Sequence, residues 1–184
     1  MSKELLIQAI ERYQPHDQIE AEYRIQVLDF LATSAQHFDR SHTAGHITGS
    51  GVLLNQDHSK ILLHHHKALN KWIQFGGHAD GVSDIFAVAL RETQEESGNM
   101  EIKSVCDEIF DIDVHIIPFN ASKNEPQHFH YDIRYLFHTE HESFSMSQES
   151  TALKWVKLDD VLDYNHSPSF HRLLQKLPQF RTTL

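Results

Sequence analysis

Apolar residues recur at helical spacing twice before residue 40. Leu6, Ile10 and Tyr13 lie three to four positions apart in a segment ended by Pro15, and Tyr23, Val27, Phe30 and Leu31 repeat within about Asp17 to Gln36. The spacing predicts two amphipathic helices. From His46 the pattern changes to strands: His46–Leu54 (HITGSGVLL) and Lys60–His65 flank Asn55-Gln56-Asp57-His58, a run of turn formers. Trp72–Phe75 reads as a short strand entering a Gly76-Gly77 loop. Beyond it, Ile85, Phe86, Val88, Ala89 and Leu90 form the apolar body of a third helix. Ser83 and Asp84 are its N-cap candidates, and Gly98 stands where a left-handed C-cap needs glycine.

That third helix carries the chemistry. Glu92 and Glu96 lie one turn apart on one face, with Glu95 beside them. Three carboxylates this close repel one another unless a cation lies between them. An oxygen-only set suits a hard divalent ion, magnesium or manganese. A merely solvated acidic face would place Lys or Arg four residues away, and apart from Arg91 the helix has none.

The segment Gly77 to Asn99 resembles the signature of the Nudix (MutT-like) hydrolases: Gly, five residues, Glu, seven residues, Arg-Glu, aliphatic, any, Glu-Glu, any, Gly, aliphatic. Gly77, Arg91-Glu92, Glu95-Glu96 and Gly98 fall in place. Ser83 stands where the first Glu is expected, and Thr93 and Asn99 where aliphatics are expected. The first departure removes an acidic group that Asp84 is positioned to replace in part; the other two touch packing. Lys154-Trp155-Val156 and the following Leu158–Val161 look like the last strand and helix of the same family, so the similarity covers roughly residues 45 to 177.

The resemblance implies an α/β/α sandwich with a mixed sheet, the box helix packed on it, and residues 1–40 as a helical extension to a domain at 41–184. The activity implied is metal-dependent hydrolysis of the diphosphate linkage of a nucleoside diphosphate derivative. Glu92, Glu95 and Glu96 would hold Mg2+ or Mn2+, with the carbonyl of Gly77 adding a contact. Arg91 would orient the glutamates, and Glu149, before the Trp155 strand, is a candidate extra ligand or base. A module that senses a nucleotide metabolite without turnover is the competing expectation, favoured by Ser83 and opposed by the intact glutamates. An isomerase acting on isopentenyl diphosphate within the same fold is weaker, since no cysteine stands in a plausible catalytic loop.

Composition is compatible. The chain has 184 residues, 40% hydrophobic and 23% charged, enough for one sizeable core with an extension. No run approaches the about 20 apolar residues of a membrane span, and Glu4 and Glu11 make the N-terminus unlike a secretory signal. A lone cysteine, Cys106, points to a reducing, cytoplasmic setting and reads as a small filler beside a strand. A net charge of −10 disfavours wrapping a nucleic-acid backbone, though not small phosphorylated ligands. The N-terminal helices would either cap the domain or pair two subunits.

Sixteen histidines would carry the formal charge from −10 to +6 if all were protonated near the usual pKa of about 6.5. Strand alternation places Asp111, Asp113 and His115 on one face, and likewise His128, His130 and Asp132. If these strands pair across the Pro118–Pro126 loop, a His- and Asp-lined face forms. It could contact substrate phosphate, donate a proton or hold a second metal; the alternative is a set of exposed or hydrogen-bonded strand residues. Zinc is disfavoured here because no Cys pair supports it. His64-His65-His66 alternate faces and read as strand filler. Substrate selectivity is expected in the Pro118–Gln127 loop and the N-terminal helices.

Overall fold

The computed structural model describes residues 2–119 and 126–180. Helix α1 (Lys3–Arg12) is capped by Ser2, and α2 (Gln18–Thr33) by Asp17, whose carboxylate accepts from the Glu20 amide at 2.7 Å. Strands β1 (Gly45–Asn55) and β2 (Lys60–His66) form the expected hairpin, followed by β3 (Lys71–Ile73) and β4 (Phe75–His78). The box helix is α3 (Ile85–Ser97), and β5 (Ile102–Ser104), β6 (Asp111–Ile117), β7 (His128–Thr139) and β8 (Ser150–Lys157) complete the sheet. A 3-10 turn (Leu158–Asp160) leads into α4 (Val161–Tyr164) and α5 (Pro168–Lys176).

The sheet is mixed. β1 runs parallel to β7 and antiparallel to β2 and β4, while β6 pairs antiparallel with β7. Period-two alternation sends β1 side chains to two cores. Ile47 and Leu53 join Val88 and Ala89 of α3 and Ile133 and Phe137 of β7; Val52 and Leu54 join Leu136, Phe170 and Leu173 on the α5 side. The result is the expected sandwich of helices about a mixed sheet.

The N-terminal helices cap the domain. Leu6, Ile10, Val27 and Leu31 are fully buried in the same core as α3, and Phe30 stacks on Tyr131 with ring centroids 4.2 Å apart. Their polar side is fixed by a buried ion network. Burial pushes the Asp111 carboxyl up, but Arg172, Arg134 and Lys176 outweigh it and hold that pKa below the usual range. Lys176 Nζ donates to Glu20 at 2.7 Å and to Asp111 at 3.0 Å, and Arg172 reaches both Asp111 and Asp113. Glu20 is fully buried because this network receives it.

Two expectations need correction. Gly76 and Gly77 are not a loop but the middle of β4, paired with Ser50 and Gly49 of β1. The sequence shows two glycines as a turn; the structure uses them because a Cβ on Gly76 would sit 2.2 Å from Ser50 Oγ. The histidines, further, do not titrate together. Burial lowers His37, His64, His78, His130 and His138, so the charge at pH 6 stays more negative than the uniform count implies.

Candidate active site

Helix α3 lies unusually close to β1 because β1 is glycine-rich beneath it. A Cβ on Gly49 would stand 2.9 Å from the Ile85 carbonyl, and one on Gly51 2.0 Å from Thr93 Oγ1. Thr93, the first packing departure in the motif, is fully buried and turns its hydroxyl to the Ala89 carbonyl at 2.6 Å. Asn99, the second, anchors the helix end: its amide donates to Thr139 Oγ1 and to the His141 carbonyl, both at 3.0 Å. Gly98 adopts φ 67°, the left-handed cap. Asp84 accepts from the Ala87 amide at 3.2 Å, so the residue offered as a stand-in for the missing acidic group serves the helix cap.

The capped helix aims its carboxylates at β4. Glu96 is 5% exposed, and its Oε2 accepts from the Gly76 amide at 2.9 Å. Burial pushes its pKa up to about 8 against the pull of that amide, and Glu149, Glu92 and Glu95 push the same way. Glu92 is half-buried and raised by burial, with Arg91 opposing. A Cβ at Gly77 would lie 2.5 Å from Glu92 Cδ, so only glycine lets the strand and this carboxylate meet. Arg91 pairs with Glu92 and also donates to the His78 carbonyl at 3.4 Å. Glu95 is exposed at the rim.

Glu149 is brought to this group from the segment before β8. Its carbonyl accepts from the Lys67 amide at 2.8 Å, and its charge is felt at both Glu92 and Glu96. His64, read from the sequence as filler, is buried with Nδ1 2.8 Å from Ser150 Oγ and 3.8 Å from Glu96 Oε1. The signal for it was the strand period, which turns His64 inward with Leu62. Four carboxylates thus share one region with Arg91 as the ion-paired cation. That donor set fits a hard divalent ion.

The second constellation assembles as the alternation implies. β6 and β7 pair with Asp113 opposite Asp132 and His115 opposite His130. Asp132 is 2% exposed; it accepts from Thr48 Oγ1 at 2.9 Å, Ser50 Oγ at 2.8 Å and Arg134 Nε at 2.7 Å. His115 Nδ1 is 3.0 Å from Asp113 Oδ2. His130 meets His46 and His128, and burial, then His115, His46, His78 and His128, drive its pKa down to about 2. His46 and His78 were not singled out in the sequence; they reach this face from β1 and β4. Residues 120–125, the middle of the loop expected to carry selectivity, lie outside the described residues. A cavity of about 450 Å³ lies elsewhere, under α1 between Tyr13, Phe110 and Phe180, away from the box carboxylates.

Comparison with known proteins identifies the family and the fold. The NUDIX domain family matches residues 45–177. A probable DHNTP pyrophosphohydrolase of Lactococcus lactis subsp. cremoris is 28% identical over 102 residues, which cover 55% of this chain. The match spans 59% of that relative's length. The dihydroneopterin triphosphate pyrophosphohydrolase of E. coli superposes with a TM-score of 0.54 at 14% identity, covering 72% of this chain and 95% of that one. The NUDIX domain of Shewanella oneidensis NrtR, solved with ADP ribose, gives 0.53 at 18% identity over 84% and 97%. These structural likenesses establish the fold. With the signature helix, the sheet order and the matched span in agreement, the chain belongs to the Nudix family.

Proposed function

We propose that this chain is a pyrophosphohydrolase that cleaves the diphosphate linkage of a nucleoside diphosphate derivative by attack of water on phosphorus. One observation carries the reading: buried Glu96 on the Gly76 amide and Glu92 against Gly77 lie near enough to Glu95 and Glu149 to feel their charge, a repulsion that a divalent ion relieves. Glu92, Glu95 and Glu96, with the Gly77 carbonyl, are the residues that would hold Mg2+ or Mn2+. Bound there, the ion supplies neutralisation of phosphate charge and makes water more acidic.

The chain's own groups do the rest. Arg91 fixes Glu92 through its ion pair and ties that carboxylate to the His78 carbonyl. The Gly76 amide holds Glu96 in one orientation. Glu149, brought in from the segment before β8, is the candidate to take the proton of the attacking water. His115, His128, His130 and Asp132 lie on the sheet face turned away from Glu92, so this reading gives them no part in holding the phosphates, and Asp132 already accepts from three donors. The substrate is a small phosphorylated molecule. The name of the Lactococcus relative places a pterin triphosphate on the test panel beside nucleotide sugars, dinucleoside polyphosphates, nicotinamide dinucleotides and nucleoside triphosphates.

The test is product release from that panel with magnesium, manganese or chelator. We expect metal-dependent turnover that Glu96→Gln abolishes while its circular dichroism stays native. Full activity of the variant at saturating magnesium refutes the metal assignment. Ser83 at the first acidic position favours a second reading, a module that binds a nucleotide metabolite without hydrolysing it. A flat panel, with the same compounds still raising the melting temperature, establishes that one.

A further inference from the structure

β4 is a wall between two sites. Alternation places Gly77 against Glu92 on one face and sends the side chain of His78 to the other. There His78 meets His46 of β1 and His130 of β7, with ring centroids 4.8 Å from His46 and 5.2 Å from His130, and His46 meets His128 at 4.9 Å. One ring nitrogen from each of His46, His78 and His130 lies within 4.8 Å of the others. His46 Nε2 is 3.1 Å from His130 Nε2, and His128 Nε2 is 3.2 Å from the same atom.

Proton counting makes this convergence informative. An Nε2 atom offers one hydrogen or one lone pair, so His130 can satisfy one of its two neighbours fully, not both. His128 Nδ1 lies 2.9 Å from the Pro126 carbonyl, which only accepts; Nδ1 therefore carries the hydrogen, and neutral His128 turns an Nε2 lone pair inward. An imidazole whose outer nitrogen donates to a carbonyl is oriented as metal-ligating histidines are. In a tetrahedral centre with bonds of about 2.0–2.1 Å the ligand nitrogens stand roughly 3.3 Å apart. The His46–His130 and His128–His130 separations are within a few tenths of an ångström of that, and the His78 nitrogen stands within 4.8 Å of those of His46 and His130.

We propose that His46, His78 and His130 form a second metal centre for a zinc-class divalent ion, with His128 beside His130 as the next imidazole. The donors are all imidazole, which selects zinc, cobalt or nickel over the magnesium suited to the carboxylates across β4. The sequence argument against zinc rested on the missing cysteine pair; three strands supply nitrogen ligands instead. His46 is 1% exposed, and His78 and His130 are half-buried, so the centre is set into one face of the sheet. The site is independent of the phosphate chemistry and would stand even if the hydrolase reading fell.

The test uses the full chain, stripped by chelator and reloaded with Co2+ or Zn2+ in magnesium-containing buffer. We expect one ion per chain to survive gel filtration, a visible cobalt spectrum and a raised melting temperature. Glu96→Gln should retain all three signals, whereas His46→Asn combined with His130→Asn should lose them. Equal loading of the double variant, or loss in Glu96→Gln alone, overturns the proposal. Should the double variant not fold, X-ray absorption of the cobalt-loaded wild type decides. A shell of three or more imidazoles supports the centre, and an oxygen-dominated shell overturns it.

Discussion

Substituting Gly77 by alanine separates the fold from the chemistry. The added methyl would stand 2.5 Å from Glu92 Cδ and 2.6 Å from its Oε2. Ordinary contact is roughly 3.5–4 Å, so the carboxylate must retreat by about 1 Å. It can retreat because it is the free end of a flexible side chain. Leaving its rotamer costs about 0.5–1.5 kcal/mol, and loosening the part-exposed pair with Arg91 costs up to about 1 kcal/mol. Alanine recovers about 0.4–1 kcal/mol by restricting the unfolded chain. The net loss is about 1 kcal/mol, a drop in melting temperature of about 2–4 °C. A misplacement of 1 Å at a reacting centre can nonetheless cost roughly a hundredfold in rate. Calorimetry should therefore show a near-native protein, while electron paramagnetic resonance shows weakened manganese binding and turnover falls about a hundredfold. The neighbouring Gly76→Ala should behave oppositely, since its methyl would meet Ser50, held by Asp132, and the Gly49 carbonyl at 3.0 Å. Wild-type manganese affinity and rate in Gly77→Ala would refute the placement of Glu92 against β4.

Arg172→Met should cost about 3–5 kcal/mol in urea denaturation, because it leaves Asp111 and Asp113 buried without their bidentate partner; a loss below 1 kcal/mol would show the network to be redundant. Removing residues 1–40 should abolish cooperative unfolding, since Leu6, Ile10, Val27, Phe30 and Leu31 each contribute about 1.5–3 kcal/mol of burial, together comparable with a whole domain's stability; a folded, soluble truncation would contradict this. In chelator, stability should depend on pH with two limbs. Glu96 keeps its proton in the folded state up to about 8 but loses it near 4.5 when unfolded, so folding takes up a proton and stability falls as pH rises through that window. His64 and His78, lowered to about 4, are neutral when folded and charged when unfolded below about 6.5, so stability is also lost as pH falls from there toward 4. Glu96→Gln should flatten the upper limb alone, and an unchanged profile in that variant would exclude Glu96 as its source.

What the sequence disclosed was local. The acidic helix was legible because Asp84, the apolar body and Gly98 punctuate thirteen residues with one periodicity. Pairing of β6 with β7 was legible because alternation aligned His115 with His130 and Asp113 with Asp132. The glycine pair of β4 was misread because its reason, the approach of Ser50 and Glu92, comes from segments more than ten residues away. Glu20 was hidden for the same cause: a glutamate on an amphipathic helix reads as solvated until Lys176 arrives from α5. His46 and His78 carry no spacing signal, since three separate strands bring the imidazoles together.

The network that fastens α2 to α5 has a kinetic side. Lys176 meets Glu20 and Tyr13 across 156 and 163 positions of sequence, and β1 finds its parallel partner β7 more than eighty residues on. Loop closure over such distances must precede the contacts that reward it, which makes folding slow and late. On the ribosome, α1 and α2 emerge first yet cannot bury Glu20 until α5 has been made. Until the later strands are made, the chain therefore carries these two helices with their apolar faces uncovered, a state in which exposed apolar surface favours aggregation.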